Sequence, residues 1–206
     1  MGNNRGSKYG MGHTTLSRND KNFWDYYQEE MGLIDTPMFI DFILGKTGLE
    51  QLSYIGHSEG TTQMFLAASL NPSYFKEKIN LYIAMAPTPT TILMPTTPLT
   101  YHSNMLEFIM VDMFHYYNWF APMPKVVAFV DVICDKWTFI CNNIRDMLDI
   151  FWRDINNGER FDMFLSNEPS GQSYRTFIYH MQVKAANRTQ LYDYGKIKNV
   201  QVYGST

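Results

Sequence analysis

Apolar positions change period along the first ninety residues, and each change marks an element. In "DKNFWDYYQEEM", residues 20–31, Phe23, Tyr26, Tyr27 and Met31 recur at three- and four-residue intervals, the spacing of one helix face. Pro37 then opens a second predicted helix with Met38, Ile40, Phe42, Ile43 and Leu44 as its apolar face and Gly45 and Gly48 as stops. From residue 51 the pattern shortens. "QLSYIG" is brief, with β-branched and aromatic content, and reads as a strand. A helix follows through "TTQMFLAASL", and "INLYIAMAP" is a second apolar strand ended by Pro87. Two strands joined through one helix make a βαβ unit, which predicts a parallel sheet.

After Pro87 the character changes. "TPTTILMPTTPL", residues 88–99, is a connection rich in Pro and Thr. From about Tyr101 to Trp152 the pattern is helix-like and crowded with Phe, Tyr, Trp and Met, and it has no strand of its own. Placed after a sheet strand, such a block reads as an inserted helical cap. "NEPSGQS" reads as a turn, and "YDYGKIKNVQVYGST" as a terminal stretch of Gly and polar residues. The expected organisation is therefore a partial α/β core over 1–95, a cap or lid over 96–190 and a return segment over 191–206.

Composition narrows the function classes. The 206 residues are 45% hydrophobic and 16% aromatic, enough apolar mass for one sizeable core. A formal net charge of −3 supplies no basic field, which argues against a nucleic-acid partner. The most apolar run, "VVAFVDVICDKWTFIC", is broken by Asp131, Asp135 and Lys136, so no transmembrane segment is expected. The first residues lack the apolar run of a signal peptide, and Gly6 stands where a myristoylation signal needs Ser or Thr. Cys134 and Cys141 lie seven apart with no His or Cys cluster, so no metal is expected and both read as buried free thiols. Asn187-Arg188-Thr189 is an N-x-[ST] sequon that points to a secretory-pathway context.

Gly56-His57-Ser58-Glu59-Gly60 fits G-x-S-x-G, with an apolar strand before it and a helix carrying the small Thr61, Thr62, Ala67 and Ala68 after it. In that setting a serine sits on a sharp strand-to-helix turn that projects its hydroxyl as a nucleophile. The flanking glycines are needed where side chains would collide with neighbouring elements. Ser58 is the candidate nucleophile, and the backbone N–H of Glu59, at a helix N-terminus, is the candidate oxyanion donor. A carboxylate at Glu59 then calls for a local cation or solvent. His57 is expected to pack behind the turn, His102, His115 and His180 to be structural or exposed, and His13 to be solvated in a loop. Gly10-Met11-Gly12 lacks the third glycine of a dinucleotide loop, and Asp193 reads as a turn carboxylate.

Several ordered blocks, "GNNRG" at 2–6, "FWDYYQEEMGLIDTPMFIDFIL" at 23–44, "GHSEGT" at 56–61, "APTPT" at 86–90 and "YDYGKIKNVQVYG" at 192–204, resemble the acid lipase branch of the α/β-hydrolases. The resemblance implies an α/β class and an α/β-hydrolase fold with a helical cap. It also implies serine acyl-enzyme hydrolysis of fatty acyl esters of neutral lipids, such as triacylglycerols or steryl esters, without a cofactor. It assigns Ser58 as nucleophile and Glu59 as elbow donor, where relatives commonly carry Gln or Leu. Phe108, Phe114, Tyr116, Tyr117, Trp119, Phe120 and Trp137 would suit an acyl-chain tunnel or a lipid-facing lid, although most would be cap core. The family's second oxyanion donor precedes "GNNRG", and its triad Asp and His follow the "YDYG" block. The triad Asp and His are thus expected outside this chain, and the chain is expected to be a fragment or truncated gene model with little turnover. The implied partners are a lipid ester and a droplet or micelle surface, in a secreted, lysosomal or endomembrane setting. A non-catalytic lipid-binding or interaction protein on a degenerate hydrolase scaffold is the alternative.

Overall fold

In the computed structural model, residues 2–89, 98–119 and 170–205 are described. The chain enters through a turn in which Gly6 N–H donates to Gly10 C=O at 3.0 Å, then a 3₁₀ turn, Lys21–Phe23. A helical stretch follows: Gln28–Glu30, a π turn at Met31–Asp35, and α1 at Thr36–Thr47, capped by Gly48 with φ 70°. Next come β1 (Leu52–His57), α2 (Glu59–Leu70), α3 (Pro72–Lys78) and β2 (Ile79–Met85). β1 and β2 pair in parallel, Tyr54 opposite Tyr82 and Gly56 opposite Ala84, so the predicted βαβ unit is present with α3 as an extra helix.

The predicted helix over 20–31 does not form. Its aromatic residues are buried as the pattern requires, Tyr26 at 2% exposure and Met31 at 1%, yet the backbone from Trp24 to Tyr27 is not helical. Tyr27 is extended, with φ −126° and ψ −175°. Tertiary hydrogen bonds hold it so: Ser173 Oγ donates to Trp24 C=O at 2.6 Å, Tyr26 Oη to Arg5 C=O at 2.8 Å, and Trp24 Nε1 to Arg18 C=O at 2.7 Å. Tyr27 N–H donates to the Glu30 carboxylate at 2.7 Å, which starts the helix at Gln28 instead.

The predicted apolar face of α1 is also corrected. Only Ile40 is buried, against Met64, Ala67 and Phe75, while Met38 and Phe42 are 66% and 64% exposed. Gly45 does not stop α1, which runs on to Thr47.

Strand parity divides the sheet. Tyr54, Gly56, Tyr82 and Ala84 lie on the side packed by α2, and Ile55, Leu81, Ile83 and Met85 on an exposed side. Two strands form this sheet among the described residues, so its outer edges carry no described partner.

Beyond the connection, of which 90–97 lie outside the described residues, are α4 (Pro98–Tyr101), α5 (Ser103–Glu107) and a π turn at Phe108–Met113. β3 (Asn118–Trp119) pairs antiparallel with β4 (Gln172–Ser173), which leads directly into α6 (Tyr174–Ala186). Ser173 caps α6, its Oγ accepting from Arg175 N–H at 3.1 Å. The terminal stretch of Gly and polar residues forms α7 (Lys196–Tyr203) between Gly195 and Gly204, both at positive φ. Asp193 is the turn carboxylate expected, accepting from Gly195 N–H and Asn199 Nδ2 at 2.8 Å each. An aromatic cluster of Tyr27, Tyr174, Ile178, Tyr179 and Tyr192 joins the segment before α1 to α6 and the final turn. Arg175 ties the same parts together, pairing with Asp25 and with Glu107 and lying 5.1 Å over the Tyr27 ring.

Candidate active site

β1 ends at His57, and one residue later α2 begins. Ser58 bridges them with φ 48° and ψ −113°, a conformation L-residues rarely adopt and that persists only when its surroundings hold it. The surroundings do so. Ser58 N–H donates to Met85 C=O at 3.0 Å. Its carbonyl accepts from Thr61 N–H at 2.9 Å, Thr61 Oγ1 at 2.6 Å and Thr88 Oγ1 at 3.0 Å. Thr88 N–H returns a bond to Thr61 Oγ1 at 3.0 Å, and Thr62 Oγ1 donates to Thr88 C=O at 2.8 Å. The loop after β2 is thereby stitched onto the first turn of α2, and the small threonines of the sequence motif act as its fasteners.

The two glycines of the motif differ in their reason for being glycine. A Cβ on Gly56 would stand 2.8 Å from Gly60 C=O, a collision with backbone that cannot move aside cheaply. A Cβ on Gly60 would meet only Tyr54 Oη, at 3.9 Å. Collision thus accounts for the first glycine and not, among the described residues, for the second.

Glu59 opens α2, so its N–H has no intrahelical acceptor and lies at the positive end of the helix dipole. Its side chain turns into the protein. Oε2 accepts from Asn4 Nδ2 at 2.8 Å and Oε1 from Gln28 Nε2 at 2.6 Å. The sequence called for a cation or solvent to accommodate this carboxylate. Two side-chain amides from distant parts of the chain do it instead. Burial pushes the Glu59 carboxyl above its ordinary value, and the amide hydrogen bonds pull it partly back. These partners, Asn4 and Gln28, had no signal in the sequence beyond lying within blocks of the resemblance, because their roles depend on contacts 55 and 31 residues away.

The histidines divide clearly. His57 does not pack behind the turn: it shares strand parity with Ser53 and Ile55 on the open side of the sheet and is exposed. His13, His102 and His115 are exposed as well; His13 Nδ1 accepts from Leu16 N–H at 2.8 Å, and His115 Nδ1 lies 2.8 Å from Tyr117 Oη. His180, on α6, lies with Nε2 3.4 Å from Gln28 Nε2, and burial lowers it to about 4, so it is neutral near pH 7. No described residue hydrogen-bonds Ser58 Oγ, and no group of three metal-ligating side chains occurs among the described residues.

Of the aromatic residues read as cap, Phe108 and Phe114 are exposed at 57% and 69%, whereas Tyr116 and Tyr117 pack against the aromatic cluster. The side chain of Trp119, and Phe120, Trp137, Cys134 and Cys141 altogether, lie outside the described residues. No described helix is long and apolar enough to cross a membrane.

The alpha/beta hydrolase fold family matches residues 1–148. Lipase member K of Mus musculus is 32% identical over 201 residues, covering 95% of this chain and 49% of that protein. The lysosomal acid lipase/cholesteryl ester hydrolase of Homo sapiens is 30% identical over 198 residues, and gastric triacylglycerol lipase of Homo sapiens 32% over 199, with the same coverage. The chain spans about half the length of the curated relatives it matches.

Proposed function

The chain belongs to the alpha/beta hydrolase fold family, and from that premise we propose that it carries the nucleophile elbow of a lipase-like carboxylic ester hydrolase. Ser58 Oγ attacks the acyl carbonyl of a fatty acyl ester of a neutral lipid, a triacylglycerol or a steryl ester. The Glu59 N–H stabilises the oxyanion, the alcohol leaves, and water then releases the fatty acid from the acyl-enzyme. The triad Asp and His are left to residues other than those described. The observation that carries the reading is Ser58 at φ 48° between a parallel strand and a helix N-terminus, the strained turn such a nucleophile needs. The relatives named lipases over 95% of the chain support the ester substrate.

The division into a core over 1–95, a cap over 96–190 and a return segment over 191–206 goes with this reading. Ile40, Met64, Ala67 and Phe75 form a buried cluster within the first segment, whereas the cluster around Tyr174, Ile178 and Tyr179 also takes in Tyr27 and Tyr192 and so draws on all three segments. Exposed Phe108 and Phe114 on the cap segment suit a lipid surface. A secretory or lysosomal setting is favoured by the relative named lysosomal and by the sequon at Asn187, exposed at the end of α6.

The test is labelling of the full-length protein with a fluorophosphonate, read by peptide mass spectrometry. Modification at Ser58 that is lost in Ser58→Ala is the expected result. Absence of labelling at Ser58, together with retained binding of a fatty acyl ester, would transfer the protein to the non-catalytic lipid-binding reading.

A further inference from the structure

The Glu59 carboxyl group is placed inside the protein with no cation beside it among the described residues, one residue after the candidate nucleophile. Burying such a group is costly unless hydrogen bonds satisfy it. Here both oxygens are satisfied, each by a neutral amide from a different segment: Asn4 from the entry turn and Gln28 from the start of the helical stretch. Both donors are themselves held. The Asn4 carbonyl accepts from Ser7 Oγ at 2.7 Å and from Ser7 N–H at 3.2 Å, which closes the entry turn. Gln28 is fully buried, and its Nε2 lies 3.4 Å from His180 Nε2, which extends the connection to α6. Gln28 Oε1 is enclosed without a hydrogen-bond partner among the described residues.

We propose that Glu59 is a positioning residue: its carboxylate, clamped by Asn4 and Gln28, fixes the first turn of α2 and thereby the direction of its own backbone N–H toward a developing oxyanion. The proposal rests on the function proposed above for what that N–H does, and on the hydrogen-bond geometry alone for how it is held. The Ser58 carbonyl is tied down by Thr61 and Thr88 on one side of the turn. Glu59 supplies the other tie, so the strained residue is gripped from both ends. An oxyanion donor works by being aimed before the charge develops, and a first helical turn with no intrahelical acceptors frays unless something outside the helix holds it.

A carboxamide should serve in place of the carboxylate, since its oxygen can accept from Asn4 and its nitrogen can donate to Gln28 Oε1, now unpartnered, after that amide turns over. An alkyl side chain cannot. Four variants of the full-length protein, Glu59→Gln, Glu59→Leu, Gln28→Leu and Asn4→Ala, are compared by two measurements. One is the rate of fluorophosphonate labelling at Ser58. The other is hydrogen exchange of the Glu59 and Gly60 amides relative to amides in β2. Glu59→Gln should stay within about threefold of wild type in both. Glu59→Leu and Gln28→Leu should slow labelling by about tenfold or more and speed exchange of the two elbow amides by about as much, with β2 unchanged. Asn4→Ala, which removes one of two ties, should fall between, and it decides the matter if the leucine variants fail to fold. Wild-type rates and unchanged elbow exchange in Asn4→Ala and the leucine variants would overturn the proposal. If the wild-type chain is not labelled at Ser58, the proposed function fails separately, and elbow exchange alone then decides whether Glu59 positions the turn.

Discussion

Thr88 Oγ1 donates to the carbonyl of Ser58 at 3.0 Å, joining the residue chain just past β2 to the turn that ends β1. Thr61 makes the same bond from the helix side and also accepts from Thr88 N–H, so three groups share one small network. Thr61 is fully buried, and Thr61→Val would leave the Thr88 N–H without its acceptor. We expect Thr61→Val to cost about 1–3 kcal/mol and Thr88→Val about 1 kcal/mol. The double variant should lose less than the two combined, because each removal already breaks part of the network. Urea denaturation of the four proteins measures the coupling. Strict additivity would mean that the two threonines act independently.

Gly56 and Gly60 should respond differently to the same substitution. Gly56→Ala forces its methyl against Gly60 C=O and should destabilise by about 1–3 kcal/mol. Gly60→Ala, in the first turn of α2 with open space around it, should change stability by less than about 1 kcal/mol, with helix propensity in its favour. Equal losses in thermal denaturation would contradict the assignment of the close approach to Gly56.

Strain at Ser58 predicts a gain in stability when glycine replaces the candidate nucleophile. Ser58→Gly removes the cost of φ 48° and should stabilise the fold by about 1 kcal/mol, while Ser58→Ala keeps the strain and should not. Both variants should lose fluorophosphonate labelling. A glycine variant that melts below the alanine variant would show that the turn is unstrained.

His180 should give the protein an acid-sensitive component. Its proton affinity is lowered by burial from the ordinary 6.5 to about 4 in the folded chain. Between those values the unfolded chain takes up a proton that the folded chain does not. Stability is therefore lost as pH falls through that window and is unaffected by this group above about 6.5, for a total of about 3 kcal/mol. Buried Glu59, Glu29 and Glu107, all raised by desolvation, act in the opposite direction, gaining stability as they are protonated. The histidine's part is isolated by subtracting the stability curve of His180→Gln from that of wild type between pH 4 and 7. A flat difference would show that His180 is accessible to solvent protons.

The strand-to-helix turn at Ser58 was legible in the sequence for a local reason. G-x-S-x-G between an apolar strand and a helix with small residues encodes a turn whose conformation is fixed within a few residues, and the structure contains it. Strand parity was equally local, although His57 was misplaced because its exposure depends on what covers the sheet face rather than on the strand itself. The helix expected over 20–31 failed at the next level. Phe23, Tyr26, Tyr27 and Met31 are all buried, but a helix and a pinned extended segment can bury the same residues, and side-chain bonds such as those from Ser173 and to Arg5 select between them.

Periodicity and the motif determined by themselves that this chain has a βαβ unit with a sharp strand-to-helix turn at Ser58, since each depends on neighbours a few residues away. The tertiary structure decided how Glu59 is accommodated. A buried carboxylate is set by whichever groups the fold brings to it, and Asn4 and Gln28, far apart in the chain, become its partners only when the entry turn and the helical stretch close over the elbow.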